Sequence, residues 1–209
     1  MNFLAHLFLS SHSEEEMIGN FIADRVKGKD HLNYPKKISE GILLHRQIDG
    51  FTDTNPTVME AKVKLRPDYH KYSPVIMDVF MDHFLAVDFD RYSSVSLEYF
   101  AEKVFNTMEK YQSILPDRIQ RMIPYMVSQN WLVTYKDVEG IKRILSAMSV
   151  RIKSSIRMEG SVNQLIADYD FFHQNFREFF PELAIFVRAQ NGNNVIENHV
   201  FYWNNPKNY

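Results

Sequence analysis

The 209-residue chain sets 24 Lys and Arg against 26 Asp and Glu, for a net charge of −2. That balance gives no overall pull toward nucleic acid or an anionic membrane. Cysteine is absent, which excludes a disulfide framework, a zinc–thiolate site and a cysteine nucleophile, so any metal must be held by His and carboxylates.

The opening stretch from Met1 to Leu9 is apolar. It lacks a basic leader, His6 interrupts it, and Glu14, Glu15 and Glu16 follow, so it is not read as a signal peptide. No run approaches the roughly 20 apolar residues that span a bilayer. The expectation is a cytoplasmic protein, with no membrane or nucleic-acid partner.

Ser13 and Glu16 have capping-box spacing and Gly28 suits a C-cap, which predicts a helix over 14–27. On it Asn20 and Asp24 lie one turn apart. Pro35 as a first helical residue and Gly50 as a stop predict a second helix over 35–49. Its Ile38, Ile42, His45 and Asp49 fall on a single stripe, apolar above and ionisable below. Taken alone, a His–Asp pair four residues apart is also an ordinary surface contact, worth a few tenths of a kcal/mol. A divalent metal is the other partner that suits imidazole and carboxylate together.

Asn55-Pro56 starts a short helix that Pro67 is expected to end, and Ser73-Pro74 starts a stronger one running to Val87. There Val75, Asp78 and Asp82 share a stripe, while Ile76, Phe80, His83 and Phe84 cover much of the remainder. Acids on so apolar a helix demand partners. Further on, stripes at Leu97–Tyr111, Ile119–Trp131 and Val138–Met148 read as core-facing helices, and Ser161 as the cap of a last long one. Asn191-Gly192 in the tail fits either a hairpin turn or a loose extension after a frayed helix. The prediction is an all-α single-domain helical bundle over residues 1–190, followed by a tail over 191–209.

His6, Asp24, His45, Asp49, Asp53, Asp78, Asp82 and His83 all fall in the first 83 residues, on or beside segments of core type. A bundle with inward His and Asp is one way to build a metal centre, and oxygen-rich ligation suits Mn²⁺, Fe²⁺ or Mg²⁺. The remaining histidines are assigned no role.

Asn2-Phe-Leu-Ala-His6, Gly19-Asn-Phe-Ile-Ala-Asp24, His45-Arg-Gln-Ile-Asp49 with Thr52-Asp53, Met81-Asp-His-Phe84 and Asn130-Trp-Leu-Val-Thr-Tyr135 together resemble the acyl carrier protein phosphodiesterase family, over about residues 1–180. The resemblance implies an all-helical, HD-phosphohydrolase-like fold. It also implies Mn²⁺-assisted hydrolysis of holo acyl carrier protein to the apo form and free 4′-phosphopantetheine. Asp82-His83 stands in the reverse order of the dipeptide that names the HD enzymes. The metal ligands expected are His6, Asp24, His45, Asp49, Asp78 and His83. Arg46, beside His45, is expected to hold a phosphate oxygen, with Arg25 beside Asp24 a weaker candidate. Asp49 or Asp82 would handle the proton.

From Gly140 to Met158 the chain holds Lys142, Arg143, Arg151, Lys153 and Arg157 and no acidic residue. This run suits either an acidic carrier protein or plain solvation. Two other functions stay open: a phosphohydrolase acting on a nucleotide or another small phosphoester, and a helical binding module without catalysis.

Overall fold

The structure is a computed structural model and describes residues 1–152 and 155–190. Helix α1 (Phe3–Leu9) is buried along almost its whole length. Its first N–H groups have no helical partner of their own, and Asp82, one of the predicted site acids, supplies one. The Asp82 carboxylate accepts from the backbone N–H of Asn2 (3.2 Å), Leu4 (2.7 Å) and Ala5 (3.3 Å).

Helix α2 (Glu14–Ile22) is capped by Ser13, whose hydroxyl accepts from Glu16 N–H, and it has three acids in its first turn. It ends earlier than its apolar pattern suggests. A 3₁₀ turn over Ala23–Arg25 takes over, and Gly28 adopts a positive φ of 48° after it.

Helix α3 (Lys36–Thr54) runs through Gly50, where a stop was expected. Ile48 and Thr52 are both buried beyond the predicted end, and Thr52 donates to the Ile48 carbonyl. Burial on either side of Gly50 outweighs a helix-propensity cost of about 1 kcal/mol.

Helices α2 and α3 approach until their backbones touch. A Cβ on Gly19 would stand 2.0 Å from the carbonyl oxygen of Ile38, and one on Gly41 would stand 2.1 Å from that of Glu16. Only glycine permits this crossing.

Asn55 caps α4 (Pro56–Tyr69) through its side chain. Pro67 lies inside the last turn and the helix runs past it, to end where His70 takes a φ of 47°. Helix α5 (Ser73–Val87) carries eleven buried residues and is followed along the chain by the short α6 (Phe89–Tyr92) and by α7 (Leu97–Lys110). Next come α8 (Asp117–Ser128), α9 (Trp131–Thr134) and α10 (Val138–Arg151). The last long helix breaks at Asp168 into α11 (Ser161–Ala167) and α12 (Tyr169–Gln190). Phe172, Phe176, Phe179 and Phe180 of α12 are fully buried; Phe180, Phe172 and Phe176 meet Phe8, Phe80 and Phe84 edge-on or tilted, and Phe179 stacks on Phe51.

Among the described residues there is no strand, and one continuous core links α1 to α12. The all-α fold expected from the sequence is the fold observed. No described helix is long and apolar enough to cross a membrane. The predicted tail, its Asn191-Gly192 turn and Lys153 lie outside the described residues.

Candidate metal centre

The α2–α3 glycine contact sets the site. Asn20 follows Gly19, and His45 stands one turn beyond Gly41. The crossing therefore holds the Asn20 side-chain oxygen 3.0 Å from His45 Nδ1. Asn20 is fully buried, and an amide oxygen can only accept. His45 therefore carries its proton on Nδ1 and leaves Nε2 facing the carboxylates.

Three side chains converge there. His45 Nε2 lies 3.1 Å from Asp49 Oδ2, and His6 Nε2 lies 3.2 Å from Asp49 Oδ1. The two imidazoles stack with ring centres 3.9 Å apart and planes 19° from parallel. Asp24 joins from the 3₁₀ turn, 3.4 Å from His45 Nε2. One donor atom from each of His6, His45 and Asp49 falls within 4.8 Å of the others, a spacing that can hold a metal ion.

Two observations independent of that spacing support the fit. In buried His6, Nδ1 has no partner and Nε2 meets only the Asp49 carboxylate, and the Asn20 amide nitrogen has no partner. The support behind the histidine is also in place, since the Asn20 oxygen accepts from His45 Nδ1 and so fixes the tautomer that a metal-ligating histidine requires.

The electrostatics divide the two histidines. Burial, reinforced by repulsion from His45, lowers the His6 pKa to about 4. For His45, burial pulls in the same direction, but hydrogen bonds to Asp24 and Asp49 outweigh it and raise the pKa to about 9. Burial would raise the Asp49 carboxyl, yet His45 and His6 hold it far below the usual carboxylate range. The metal-free cluster is thus a neutral His6 and a protonated His45 about an ionised Asp49.

These groups line a cavity of about 300 Å³, whose wall also holds Met1, Asn2, Asp53, Asp78, Arg25 and Arg151. Asp78 lines the cavity but is engaged, its Oδ1 accepting from the Met1 amine at 3.0 Å. Burial opposes charge on that amine, and Asp78, with Asp49 and Asp82, more than compensates, raising its pKa. Asp53 pairs with Lys62 at 2.7 Å.

The other predicted site residues are placed differently. Asp82 does not reach the cavity. It is fully buried as the cap of α1, and burial pushes its carboxyl up to about 7. His83 is also remote, with its ring nitrogens 2.7 Å from the Tyr135 carbonyl and 3.1 Å from the Tyr169 hydroxyl. One residue in a helix turns the side chain by roughly 100°, which takes Arg46 away from the site that His45 enters. Arg46 instead donates to the carbonyls of Gly28 (2.8 Å) and Val26 (2.9 Å), bracing the loop after α2.

The cavity's arginines are Arg25 and Arg151. Burial, then repulsion from Arg25 and Arg118, presses the Arg151 guanidinium below its usual pKa, with Asp24 opposing. Among the described residues no carboxylate forms an ion pair with Arg151. Of the rest of the basic run, Lys142 and Arg143 are exposed on α10, and Arg157 pairs with Glu159 at 2.7 Å. From the sequence Asn20 stands out only by its spacing from Asp24, Arg25 only as a weaker phosphate candidate and Arg151 only as part of the basic run; the structure brings all three to the wall of the metal cavity.

The family described as "Acyl carrier protein phosphodiesterase" matches residues 1–183. A protein of that name from Photorhabdus laumondii is 31% identical over 182 residues, covering 87% of this chain and 92% of the relative. One of the same name from Escherichia coli (strain K12 / DH10B) is 35% identical over 187 residues, covering 88% and 95%. No solved structure matches the chain, so the HD-like architecture implied by the resemblance has no structural counterpart to be measured against. With the family matched from the first residue into α12, and relatives matched along nearly their whole length, the chain belongs to the acyl carrier protein phosphodiesterase family.

Proposed function

We propose that the chain is a metal-dependent phosphodiesterase that cleaves the diester joining 4′-phosphopantetheine to a serine of holo acyl carrier protein, releasing the apo protein. The observation that carries this reading is the His6–His45–Asp49 cluster, set in a cavity rimmed by two arginines within a chain of this family. Mn²⁺ is the metal proposed, with Mg²⁺ and Fe²⁺ compatible with the same donors. Once bound, it supplies an acidified water and a Lewis acid for a phosphoryl oxygen.

The chain's own residues do the rest. Asn20 holds His45 with Nε2 toward Asp49 and Asp24, where it would serve as a metal ligand. His6 enters the cluster already neutral and needs no proton removed. Asp49 faces both imidazoles and fixes their separation. Arg25 and Arg151 bind the non-bridging oxygens of the diester, the planar fork matching their geometry. Water attacks phosphorus, the bond from phosphorus to the serine oxygen breaks, and Asp24, the exposed carboxylate of the cluster, takes the water proton and returns it to the serine. Asp78 is held as the partner of the Met1 amine, and Asp82 as the cap of α1.

Lys142, Arg143 and Arg151 on α10, with Arg157 beyond it, form the proposed docking face for an acidic carrier protein, which this chain would meet in the cytoplasm. Exposed charges act here mainly by raising the encounter rate.

The test is mass spectrometry of holo carrier protein incubated with the chain and Mn²⁺. Loss of the phosphopantetheine mass, abolished by a chelator and by Asp49→Ala, supports the reading. An unchanged holo mass with correctly folded, Mn²⁺-loaded protein refutes it.

A further inference from the structure

We propose that the groove between α9 and α10, beside the metal cavity, is the subsite that receives the pantetheine arm of the prosthetic group. This rests on the phosphodiesterase reading and extends it to how the leaving arm is recognised.

The groove has a volume of about 590 Å³ and an apolar floor formed by Phe3, Trp131, Tyr135, Ile144 and Ala147. It is continuous with the metal cavity, since Asn2, Phe3, Met148 and Arg151 belong to the walls of both. A diester whose phosphorus faces His6, His45 and Asp49 would therefore run its arm past Arg151 into the groove. The arm is an uncharged chain of methylenes, a gem-dimethyl group and two amides, and it suits an apolar trough with a few polar points.

One such point is unsatisfied. The Asn2 amide nitrogen is buried without a hydrogen-bond partner at the junction of the two spaces, and an amide carbonyl or phosphate oxygen of the arm would complete it. The others are Thr134 and Arg143 along the wall.

The groove is also fixed in shape. A Cβ on Gly140 would stand 2.0 Å from the Thr134 carbonyl oxygen, so α9 and α10 meet at backbone contact. Asn130 starts α9 in the left-handed region, with a φ of 45°. Trp131 is held by its indole N–H donating to the Gln129 side chain at 3.0 Å. A trough whose walls cannot relax loses little order on binding.

The experiment titrates the metal-free full-length Trp203→Phe protein, in which Trp131 is the remaining tryptophan, with pantetheine lacking any phosphate. Trp131 emission and saturation transfer to the gem-dimethyl protons are both read. The expected result is a saturable emission change with transfer to the methyls. Ala147 is exposed, so Ala147→Phe can fill the trough without entering the core, and it should raise the apparent Kd about tenfold. Its melting temperature, measured alongside, verifies the fold. The proposal is overturned if neither signal responds to pantetheine, or if Ala147→Phe binds as tightly as its parent. Cleavage of holo carrier protein by a protein that ignores pantetheine would place the arm elsewhere and leave the activity standing. Pantetheine binding that follows these expectations, without cleavage, would keep the subsite and remove the activity.

Discussion

Gly19→Ala is the most direct probe of how the fold builds the site. The new methyl would begin 2.0 Å from the Ile38 carbonyl oxygen, 2.8 Å from its carbon and 3.0 Å from Gly41 Cα. Observed Cβ atoms essentially never come closer than 3.0 Å, so at least 1.0 Å must be found, and every obstructing atom is backbone. The helices must therefore separate by about 1 Å, opening the 3.0 Å contact between Asn20 and His45. Overpacking of this kind costs about 1–3 kcal/mol, offset by about 1 kcal/mol gained from alanine in a helix. A net loss of about 1 kcal/mol lowers Tm by roughly 2–4 °C in a chain of this size. The functional loss should be larger, because a displacement of about 1 Å at a catalytic group can cost on the order of 100-fold in rate. Calorimetry and hydrolysis of holo carrier protein in Mn²⁺ would be compared with Gly50→Ala, where a Cβ meets nothing within 4 Å. Gly50→Ala should be neutral or stabilising. A Gly19→Ala protein with full Mn²⁺ affinity and turnover would refute the claim that the glycine crossing positions His45.

His45 should release close to one proton when Mn²⁺ binds near neutral pH, and His6 none, because their pKa values lie at about 9 and about 4; calorimetric titration in buffers of different ionisation enthalpy reads the number. The sign for folding follows: His45 is raised from 6.5, so in the metal-free protein its contribution is complete below about 6.5 and is lost as pH rises through about 9. Arg25→Ala should depress kcat/KM for a small chromogenic phosphodiester at unchanged Tm. Arg46→Ala should instead lower Tm, because it frees the carbonyls of Val26 and Gly28. Asp88→Asn should destabilise by about 1–3 kcal/mol, since buried Asp88 accepts from His173 and Arg177 at 2.9 Å. Burial would raise that carboxyl, but Arg177 and His173 hold it low, so its contribution stands above about pH 4 and fades as pH falls; the acid limb of wild-type melting should be steeper than that of Asp88→Asn.

The helical pattern was readable because apolar periodicity survives in a bundle: α5 begins at Ser73 and ends at Val87, as its Pro and its apolar run indicate. The His45–Asp49 stripe was legible for the same reason, since both lie one turn apart below two core isoleucines. What the sequence hid was partnership. Asp78 and Asp82 do share an apolar stripe, but the groups they meet are the amine and the first N–H groups of a segment about 80 residues earlier. No spacing rule within α5 can reveal that. Arg46 adjoins His45 in sequence and is turned away by helical geometry, while Arg25 faces the cavity because the 3₁₀ turn re-aims it. The break after Ile22 depends on tertiary packing and leaves no mark in the apolar pattern.

The stacked imidazoles also give the molecule a built-in spectroscopic signature. With His6 and His45 ring centres 3.9 Å apart, carbon-bound protons of each ring sit over the face of the other and within its shielding ring current. Their resonances are displaced upfield as a linked pair, whereas His173, stacked on Phe84, is shifted on its own. A diamagnetic ion that locks the rings should sharpen that pair and move both members together, and Mn²⁺ should broaden both away through paramagnetic relaxation. The occupancy of the site can thus be followed on two protons, in a protein that has no thiol to label and no chromophore at its centre.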